Sequence, residues 1–251
     1  MKKILGALAL GLASQGALAI DATPLFDVSL GGGVWNAKFE GELGDESTDV
    51  DLLNLDEETN GFFYISFEHA IPVIPQIRIE HTQISTQGLG QLDFANRLGL
   101  GDFDFVTNVH SEIDFTFTDV TLYYELAWID FGLTARQFSA EVFATGEDLF
   151  GNFQSEEEKE DGVLPMLYIA TRIDIPGTGF YVRGNANYIA IDDKSVSDFS
   201  AGVGYGVKLS FLAEIGIEAG IRSFALDLGD ENDFQGDIEI TGAYLGLNVN
   251  F

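Results

Sequence analysis

Apolar and polar residues alternate along most of this chain with a period of two. In the final stretch, AYLGLNVNF, every second residue from Ala243 to Val249 is apolar, and Tyr, Gly and Asn residues stand between them. Because successive side chains of a strand point to opposite faces, this pattern predicts a strand with one apolar and one polar face. An apolar stripe with the 3.6-residue period of a helix is not found at helical length. The sequence therefore predicts an all-β fold.

Ten segments carry the alternation, and several of them are 10 to 14 residues long. They span Leu25–Glu40, Phe62–His69, Gln76–Ile84, Ile113–Glu125, Phe131–Phe143, Met166–Ile175, Phe180–Ala190, Phe199–Leu212, Ile215–Leu226 and Ile238–Phe251. Strands of soluble sheets usually have about 5 or 6 residues, whereas a strand that crosses a bilayer needs about 9–11 residues. The segment lengths therefore favour strands that cross a membrane.

Short and long connections alternate between these segments. The short ones are residues 70–75, 126–130, 176–179 and 213–214, and the long ones are about 41–61, 85–112, 144–165, 191–198 and 227–237. Outer-membrane barrels have this plan, with tight periplasmic turns and longer outer loops. The predicted fold is a transmembrane antiparallel up-and-down β-barrel of ten strands, with eight and twelve strands as alternatives.

The charge of the chain is strongly negative, with 41 acidic and 12 basic residues and a formal net charge of −29. The five predicted long loops hold 27 of these acids. Such a surface repels phosphate backbones, which excludes nucleic acid as a partner. The stretches GDESTDVDLLNLDEE and EEEKEDG could bind divalent cations weakly through carboxylates and so bridge to lipopolysaccharide, although neither has EF-hand spacing. No metal or cofactor residue is predicted.

The first nineteen residues have the layout of a cleaved secretory signal. Lys2 and Lys3 precede an apolar stretch from Ile4 to Leu12, and the small residues Ala17 and Ala19 follow. The domain prediction is a signal peptide at 1–19 and an outer-membrane barrel at 20–251, located in a Gram-negative outer membrane among its lipids. Cysteine is absent, which excludes disulfides and thiolate metal sites.

Charged residues within the segments fall on the face opposite the apolar one, so they are predicted to face the lumen. A charge facing lipid at mid-depth would cost about 2–4 kcal/mol. The predicted inner residues are Arg78, Arg136, Arg172, Arg183, Lys208, Arg222, Glu68, Glu80, Glu125, Asp174 and Glu218. We expect a salt-bridged plug, with a selectivity ring or a catalytic cluster as alternatives. In the fourth segment the apolar parity changes between Phe117 and Val120, which predicts a bulge near Asp119.

Aromatic residues and prolines give two further expectations. Aromatic rings near strand ends are typical of the belts at the headgroup boundary. The residues assigned to these belts are Trp35, Trp128, Phe131, Tyr123, Tyr124, Phe180 and Tyr181. All five prolines, Pro24, Pro72, Pro75, Pro165 and Pro176, are expected at strand ends or turns, where a missing N–H does no harm.

Two stretches resemble known proteins. AYLGLNVNF, which ends in Phe251, is similar to the C-terminal signal that the barrel-assembly machinery recognises in bacterial outer-membrane barrels, and this resemblance implies that machinery as a partner. DVSLGGGVWNAKFEGELG resembles the start of a proteobacterial outer-membrane β-barrel family named for a Gly-Gly element, here within residues 31–33. That family implies a location and a fold but no activity.

The chemistry available for catalysis is sparse. His81 and Ser85 lie four residues apart, hence on one strand face, as a Ser–His lipid hydrolase would want, and His110 precedes Ser111 and Glu112. No second acidic pair completes a site like that of the ten-stranded omptin proteases. We therefore predict a non-enzymatic barrel with a structural or surface-interaction role or a narrow passage. The alternatives are a protease or lipid hydrolase at the extracellular rim and a soluble barrel that binds an apolar ligand.

Overall fold

Ten long strands and no helices make up the described part of the chain. The computed structural model describes residues 26–43, 48–49, 57–90, 105–148, 153–192, 194–210, 213–227 and 236–251. The strands are β1 Phe26–Leu43, β2 Glu58–His69, β3 Gln76–Gly90, β4 Phe105–Leu126, β5 Ile129–Asp148, β6 Phe153–Asp174, β7 Phe180–Ile191, β8 Lys194–Lys208, β9 Glu214–Asp227 and β10 Gly236–Asn250. A two-residue strand, Thr48–Asp49, pairs with the end of β1. Each predicted segment corresponds to one long strand.

The sheet closes on itself, because β10 pairs with β1 over its whole length and every pairing is antiparallel. The predicted up-and-down barrel of ten strands is confirmed. One path of directly paired residues runs through Val28, Phe67, Ile77, Leu122, Leu133, Leu167, Tyr188, Ser197, Ala225, Glu239 and Glu40. It returns to β1 twelve residues from its start. With about 3.3 Å per residue and about 4.8 Å between strands, this offset tilts the strands by about 40°.

The half of the barrel nearest the short turns has an apolar outer face, which we call the apolar band. On β8 and the residue after it, the outward residues from Phe199 to Leu209 are apolar, and the large ones among them are exposed. Ten residue steps cover about 33 Å along the strand, or about 25 Å along the axis at this tilt. That height equals the apolar band of about 25 Å that transmembrane barrels carry.

The half of the barrel farther from the short turns, which we call the extension, has the opposite arrangement. On β1, Trp35, Ala37 and Phe39 are buried inside, whereas Lys38 and Glu40 are exposed outside. The apolar residues therefore change from the outer to the inner face part of the way along the strands. This is the pattern of a strand that leaves an apolar environment for water.

The predicted bulge near Asp119 is wrong. Pairing between β4 and both neighbours is continuous through this residue, and the register shifts of β4 against β5 all lie before His110. Phe117 is 5% exposed inside the barrel and Val120 is 39% exposed outside it. The parity changes because the apolar residues of β4 face inward in the extension and outward in the apolar band. No extra residue is inserted in the strand.

Several predicted loops are strand instead. Much of the third long loop, 144–165, belongs to β5 and β6, which pair up to Glu147 opposite Phe153, and the EEEKEDG stretch lies within β6. Most of the fourth, 191–198, is also strand, because β8 begins at Lys194, which pairs with Ile191 of β7. Their polar outward residues obscured the strands at the sequence level. Other parts of the predicted acidic loops, and the signal peptide, lie outside the described residues.

At the other end the connections are short, as expected. Ala127, with a φ of 62°, and Trp128 form a two-residue turn, and Gly177 and Gly179 take positive φ in the turn before β7. Pro72, Pro75 and Pro176 lie in turns, whereas Pro24 falls outside the described residues. The expectation for Pro165 is wrong, because this proline lies within β6, just beyond the last residue paired with β7.

The predicted aromatic belt is confirmed in part. Trp128, Phe131, Tyr124 and Phe180 are exposed on the outer wall near the short turns. The remaining three assignments are wrong, since the side chains concerned are buried inside the barrel: Trp35, Tyr123 and Tyr181. Nearness to a strand end did not reveal which face each ring occupies.

Candidate functional site

Charged side chains converge in the lumen, which consists of three layers along the barrel axis. The layer at the short-turn end is an open cavity, the vestibule. The middle layer is an ion cluster made of Arg136, Asp119, Asp198, Arg222 and Glu80. The layer inside the extension is the apolar cap, whose buried members include Trp35, Ala37, Phe39, Ile84, Ile113, Phe117, Met166, Val196, Phe224 and Ile240.

Arg136 on β5 is at the centre of the ion cluster and is fully buried. Its Nε donates to Asp119 Oδ1 at 2.7 Å, and its Nη2 donates to Asp119 Oδ2 and Asp198 Oδ2, both at 2.6 Å. Arg222 on β9 donates from Nε and Nη2 to Asp198 at 3.0 and 2.8 Å, and its Nη1 lies 3.2 Å from Glu80 Oε1. Five strands are thereby tied together across the lumen.

Buried ion pairs are stable only when each charge is compensated, because desolvation costs several kcal/mol per ion. The pairing satisfies this requirement, since Asp119 faces one guanidinium and Asp198 faces two. The guanidinium carbon of Arg136 lies 5.0 Å from the centre of the Phe117 ring. That of Arg222 lies 5.3 Å from the centre of the Trp35 ring. The cluster therefore meets the apolar cap through cation–π contacts.

Tyrosines join the ion cluster to the vestibule. Arg78 lies 2.7 Å from Glu80 and stacks on the Tyr64 ring at 3.6 Å, and Arg183 donates to the Tyr64 hydroxyl at 2.8 Å. Tyr244 donates to Glu218 at 2.6 Å. Space for these rings comes from glycines on the same inner faces. A Cβ at Gly31 would meet the Tyr64 ring, one at Gly202 the Tyr244 hydroxyl and one at Gly204 the Tyr181 ring.

The vestibule has a volume of about 730 Å³. Asp27, Glu68, Glu125 and Asp130 line one side of it, and Tyr123 donates to Glu68 at 2.7 Å. The side formed by β6 to β9 carries both bases and acids, of which Arg172 and Glu214 are joined at 2.7 Å. The vestibule ends at the ion cluster, where the space left between the described side chains is about 10 Å³.

All eleven charged residues predicted to face the lumen do so, either in the ion cluster, beside it or along the vestibule. Sequence reasoning missed Asp119, which it assigned to a bulge, and Asp198, which it assigned to a loop. The alternating pattern nevertheless placed both residues on the inner face. Asp119 shares the parity of Thr121 and Tyr123, and Asp198 continues the inner face of Ser200 in β8.

The residues considered for catalysis do not come together. His81 and Ser85 lie on the outer wall of β3, where His81 Nδ1 is 3.0 Å from Thr118 Oγ1 and Ser85 donates to Asp114 instead. Ser111 is buried inside the barrel while its neighbour Glu112 is exposed outside. Within the described ranges, no group of three or more potential ligands could hold a metal ion. Nor does that part of the chain contain a helix long and apolar enough to cross a membrane.

Comparisons with known proteins give structural neighbours only. No family model and no curated protein matches the chain. The chain is similar to Ail, the attachment invasion locus protein of Yersinia pestis, in a crystal structure with the heparin analogue sucrose octasulfate, at 9% identity over 91% of this chain and 100% of that one, with a TM-score of 0.40. It is also similar to the outer membrane protease OmpT from Escherichia coli, at 9% identity over 90% and 96% of the two chains, with a TM-score of 0.45.

A third similar structure is the β domain of the Bordetella autotransporter BrkA, at 7% identity over 91% of this chain and 99% of that one, with a TM-score of 0.41. Scores and identities this low carry no inference about activity or ligands. The resemblance to the family with the Gly-Gly element stays a prediction. What can be inferred about function must come from this protein's own residues.

Proposed function

We propose that this protein is an integral barrel of the bacterial outer membrane whose lumen is closed, with a structural or surface-interaction role. The apolar band is the observation that carries the proposal. Leu133, Leu167 and Val203 are more than 60% exposed within it, and similar residues surround the barrel. Soluble monomers rarely expose contiguous apolar patches larger than about 300–600 Å². The band therefore disfavours the soluble barrel that binds an apolar ligand.

The location and orientation follow from the same division. The predicted signal peptide would deliver the chain to the periplasm, where the short turns would remain, and the polar extension would project outside the cell. The C-terminal residue is held in the wall, because Phe251 and Val28 exchange backbone hydrogen bonds of 3.0 and 3.2 Å. We propose that the barrel-assembly machinery recognises this strand before it pairs with β1.

The ion cluster and the apolar cap argue against a passage for solutes. A solute would have to cross a buried set of ion pairs and then an apolar layer. An enzymatic role is also disfavoured, since His81 and Ser85 are bonded to different partners on the outer wall. We propose that the barrel acts through its surfaces.

The outer face of the extension is the surface we propose for contact with lipopolysaccharide. Glu40 pairs with Lys38 at 2.6 Å and stands directly opposite Glu239, and Asp227 stands opposite Asp237, so this face carries several carboxylates. Divalent cations would bridge such carboxylates to the phosphates of lipopolysaccharide.

Two measurements test the proposal. The protein is expected in the outer-membrane fraction, soluble only in detergent, and its unheated and heated forms should migrate differently in gel electrophoresis. In planar bilayers the wild type should give no single-channel steps, whereas the double variant Arg136→Ala with Arg222→Ala should conduct or flicker. Full solubility without detergent would exclude the membrane location, and steady conductance of the wild type would exclude the closed lumen.

A further inference from the structure

The wall of the barrel is incomplete between β2 and β3. The two strands pair over seven residue pairs, of which the one farthest from the short turns joins Gly61 to Gln83. Both strands continue beyond it: β2 stays paired with β1 as far as Glu58, and β3 stays paired with β4 as far as Gly90. Among the described residues, β2 and β3 therefore separate beyond Gly61 while each keeps its other neighbour. We call this opening the β2–β3 gap.

A side chain spans the β2–β3 gap where the ladder stops. The backbone N–H of Ser85 donates to Asn60 Oδ1 at 2.8 Å, and Asn60 Nδ2 donates to the Glu58 carbonyl at 3.2 Å. Asn60 is itself buried. A strand N–H that loses its ladder partner must find another acceptor, and here an amide side chain supplies it. The separation of the two strands is therefore a stabilised feature of the wall.

The gap opens into a cavity of about 490 Å³, within the size range of small-molecule sites. Its inner side reaches Phe62, which packs against the apolar cap and meets the Tyr244 ring edge-on at 6.0 Å. Its outer side is formed by Phe63, which is 59% exposed and lies 5.2 Å from the His81 ring. Gly61 faces outward like Phe63, and a Cβ placed on it would meet no atom within 4 Å, so the mouth of the gap has room for a larger side chain.

The mouth of the gap lies at the edge of the apolar band. On the outer face of β3, the residues between the gap and the short turns are apolar, namely Ile77 and Ile79. The residues on the extension side are polar, namely Gln83, Ser85 and Gln87. Under the proposed orientation, this edge is the boundary between the hydrocarbon and the headgroups of the outer leaflet. An amphiphile in that leaflet would meet apolar walls with its chain and polar groups with its head.

We propose that the β2–β3 gap binds a single acyl chain of an outer-leaflet lipid, with the chain against Phe62 and Phe63. The ester or hydroxyl groups at the head of that chain would hydrogen-bond to Gln83 and to His81. The Nδ1 of His81 is directed to Thr118, and its Nε2 has no hydrogen-bond partner among the described residues. This site depends on the proposed membrane location.

The charge at the mouth selects among amphiphiles. Glu58 lines the cavity, and the carboxylate of Asp114 accepts from Ser85 close by, while the described residues that line it include no lysine or arginine. A carboxylate or phosphate placed directly at the mouth would therefore be repelled. The site favours an uncharged glycerol ester over a free fatty-acid anion of the same chain length.

The two tryptophans of the chain provide the assay. Trp35 is 1% exposed, lies inside the barrel and stands opposite Asn60, whereas Trp128 is 63% exposed at the other end. The variant Trp128→Phe leaves Trp35 as the only indole, to be reconstituted in phosphatidylethanolamine vesicles containing increasing fractions of a lipid brominated on its acyl chain. Bromine quenches indole fluorescence at short range, so a chain in the gap should quench Trp35 saturably at low mole fraction.

The matched substitutions are Gly61→Leu, which adds a side chain over the mouth of the gap, and Gly184→Leu, which adds the same side chain to the outer wall on β7, where a Cβ makes ordinary contacts. Gly61→Leu should weaken the apparent affinity of the gap for the brominated lipid about tenfold or more. The Gly184 variant should match its parent. Gln83→Phe adds bulk on the β3 side of the mouth. It replaces Gly61→Leu as the test variant if Gly61→Leu does not fold. An unbrominated monoacylglycerol should relieve the quenching better than the matching fatty acid.

Two results would overturn the site. One is quenching of Trp35 that rises linearly with the fraction of brominated lipid. The other is quenching that is equal in the parent, in Gly61→Leu and in Gln83→Phe. Failure of the membrane proposal would look different. The variant Trp35→Phe leaves only Trp128 on the outer wall, and bulk brominated lipid should quench it in any membrane-embedded barrel. Quenching of Trp128 without saturable quenching of Trp35 would reject the acyl-chain site alone. Absence of both would reject the membrane location.

Discussion

Replacing Arg136 by alanine is expected to be among the most destabilising single changes in the lumen. The guanidinium makes three hydrogen bonds of 2.6 to 2.7 Å, two to Asp119 and one to Asp198. Asp198 would keep Arg222, but Asp119 has no other ion-pair partner among the described residues. One buried carboxylate would be left uncompensated, which costs about 3–5 kcal/mol of unfolding free energy.

The assay is urea unfolding in detergent micelles, followed by the gel shift between folded and unfolded protein. Arg172→Ala is the matched control, because Arg172 also pairs with a carboxylate at 2.7 Å but stands in the open vestibule with 24% of its side chain exposed. Solvent screening limits such a pair to about 0–1 kcal/mol. Adding Asp119→Asn to Arg136→Ala should restore part of the loss, with a coupling energy of about 0.5–3 kcal/mol.

The reasoning would be refuted if Arg136→Ala cost no more than Arg172→Ala and if Asp119→Asn changed nothing in its background. That outcome would mean that water enters the middle of the lumen and screens the ion cluster. If only Arg136→Ala loses unfolding free energy, and if Asp119→Asn restores part of it, the result would support an ion cluster that excludes water.

Three further predictions address insertion, the band and the inner packing. Deleting Phe251 should lower outer-membrane levels measured by immunoblot, because it removes the terminal aromatic residue and its pairing with β1; unchanged levels would contradict this. Val203→Lys, in the apolar band, should cost about 2–4 kcal/mol in a refolding titration, whereas Ser223→Lys on the outer face of the extension should cost little. Gly204→Leu should destabilise the barrel because its side chain would collide with the Tyr181 ring, and a wild-type urea midpoint would count against that packing.

The ten strands were predictable because their signal is local. Alternation with a period of two identifies a strand from its own residues, and the lengths and connections then indicated a membrane barrel. The charged inner residues followed from the same parity. The inward positions of Arg136 and Arg222, for example, needed no knowledge of neighbouring strands.

What the sequence could not decide is which environment surrounds each part of a strand. Parity separates two faces but does not say which is inside, so the exchange of faces at Phe117 and Val120 looked like a bulge. The ring of Trp35 was assigned outside for the same reason. Polar outward residues in the extension, such as Lys159 and Asp161, resembled loops because a strand in water and a loop have similar composition.

Contacts across the lumen also required the tertiary structure. Asp119, Arg136, Asp198 and Arg222 come from four strands, and the twelve-residue offset of the closed sheet brings them to one level. The β2–β3 gap likewise depends on where pairing stops. The alternating pattern thus determined the strands and their two faces, because it is encoded residue by residue. Closure, register and the partner of each charge depend on residues far apart in sequence, so only the assembled barrel decided them.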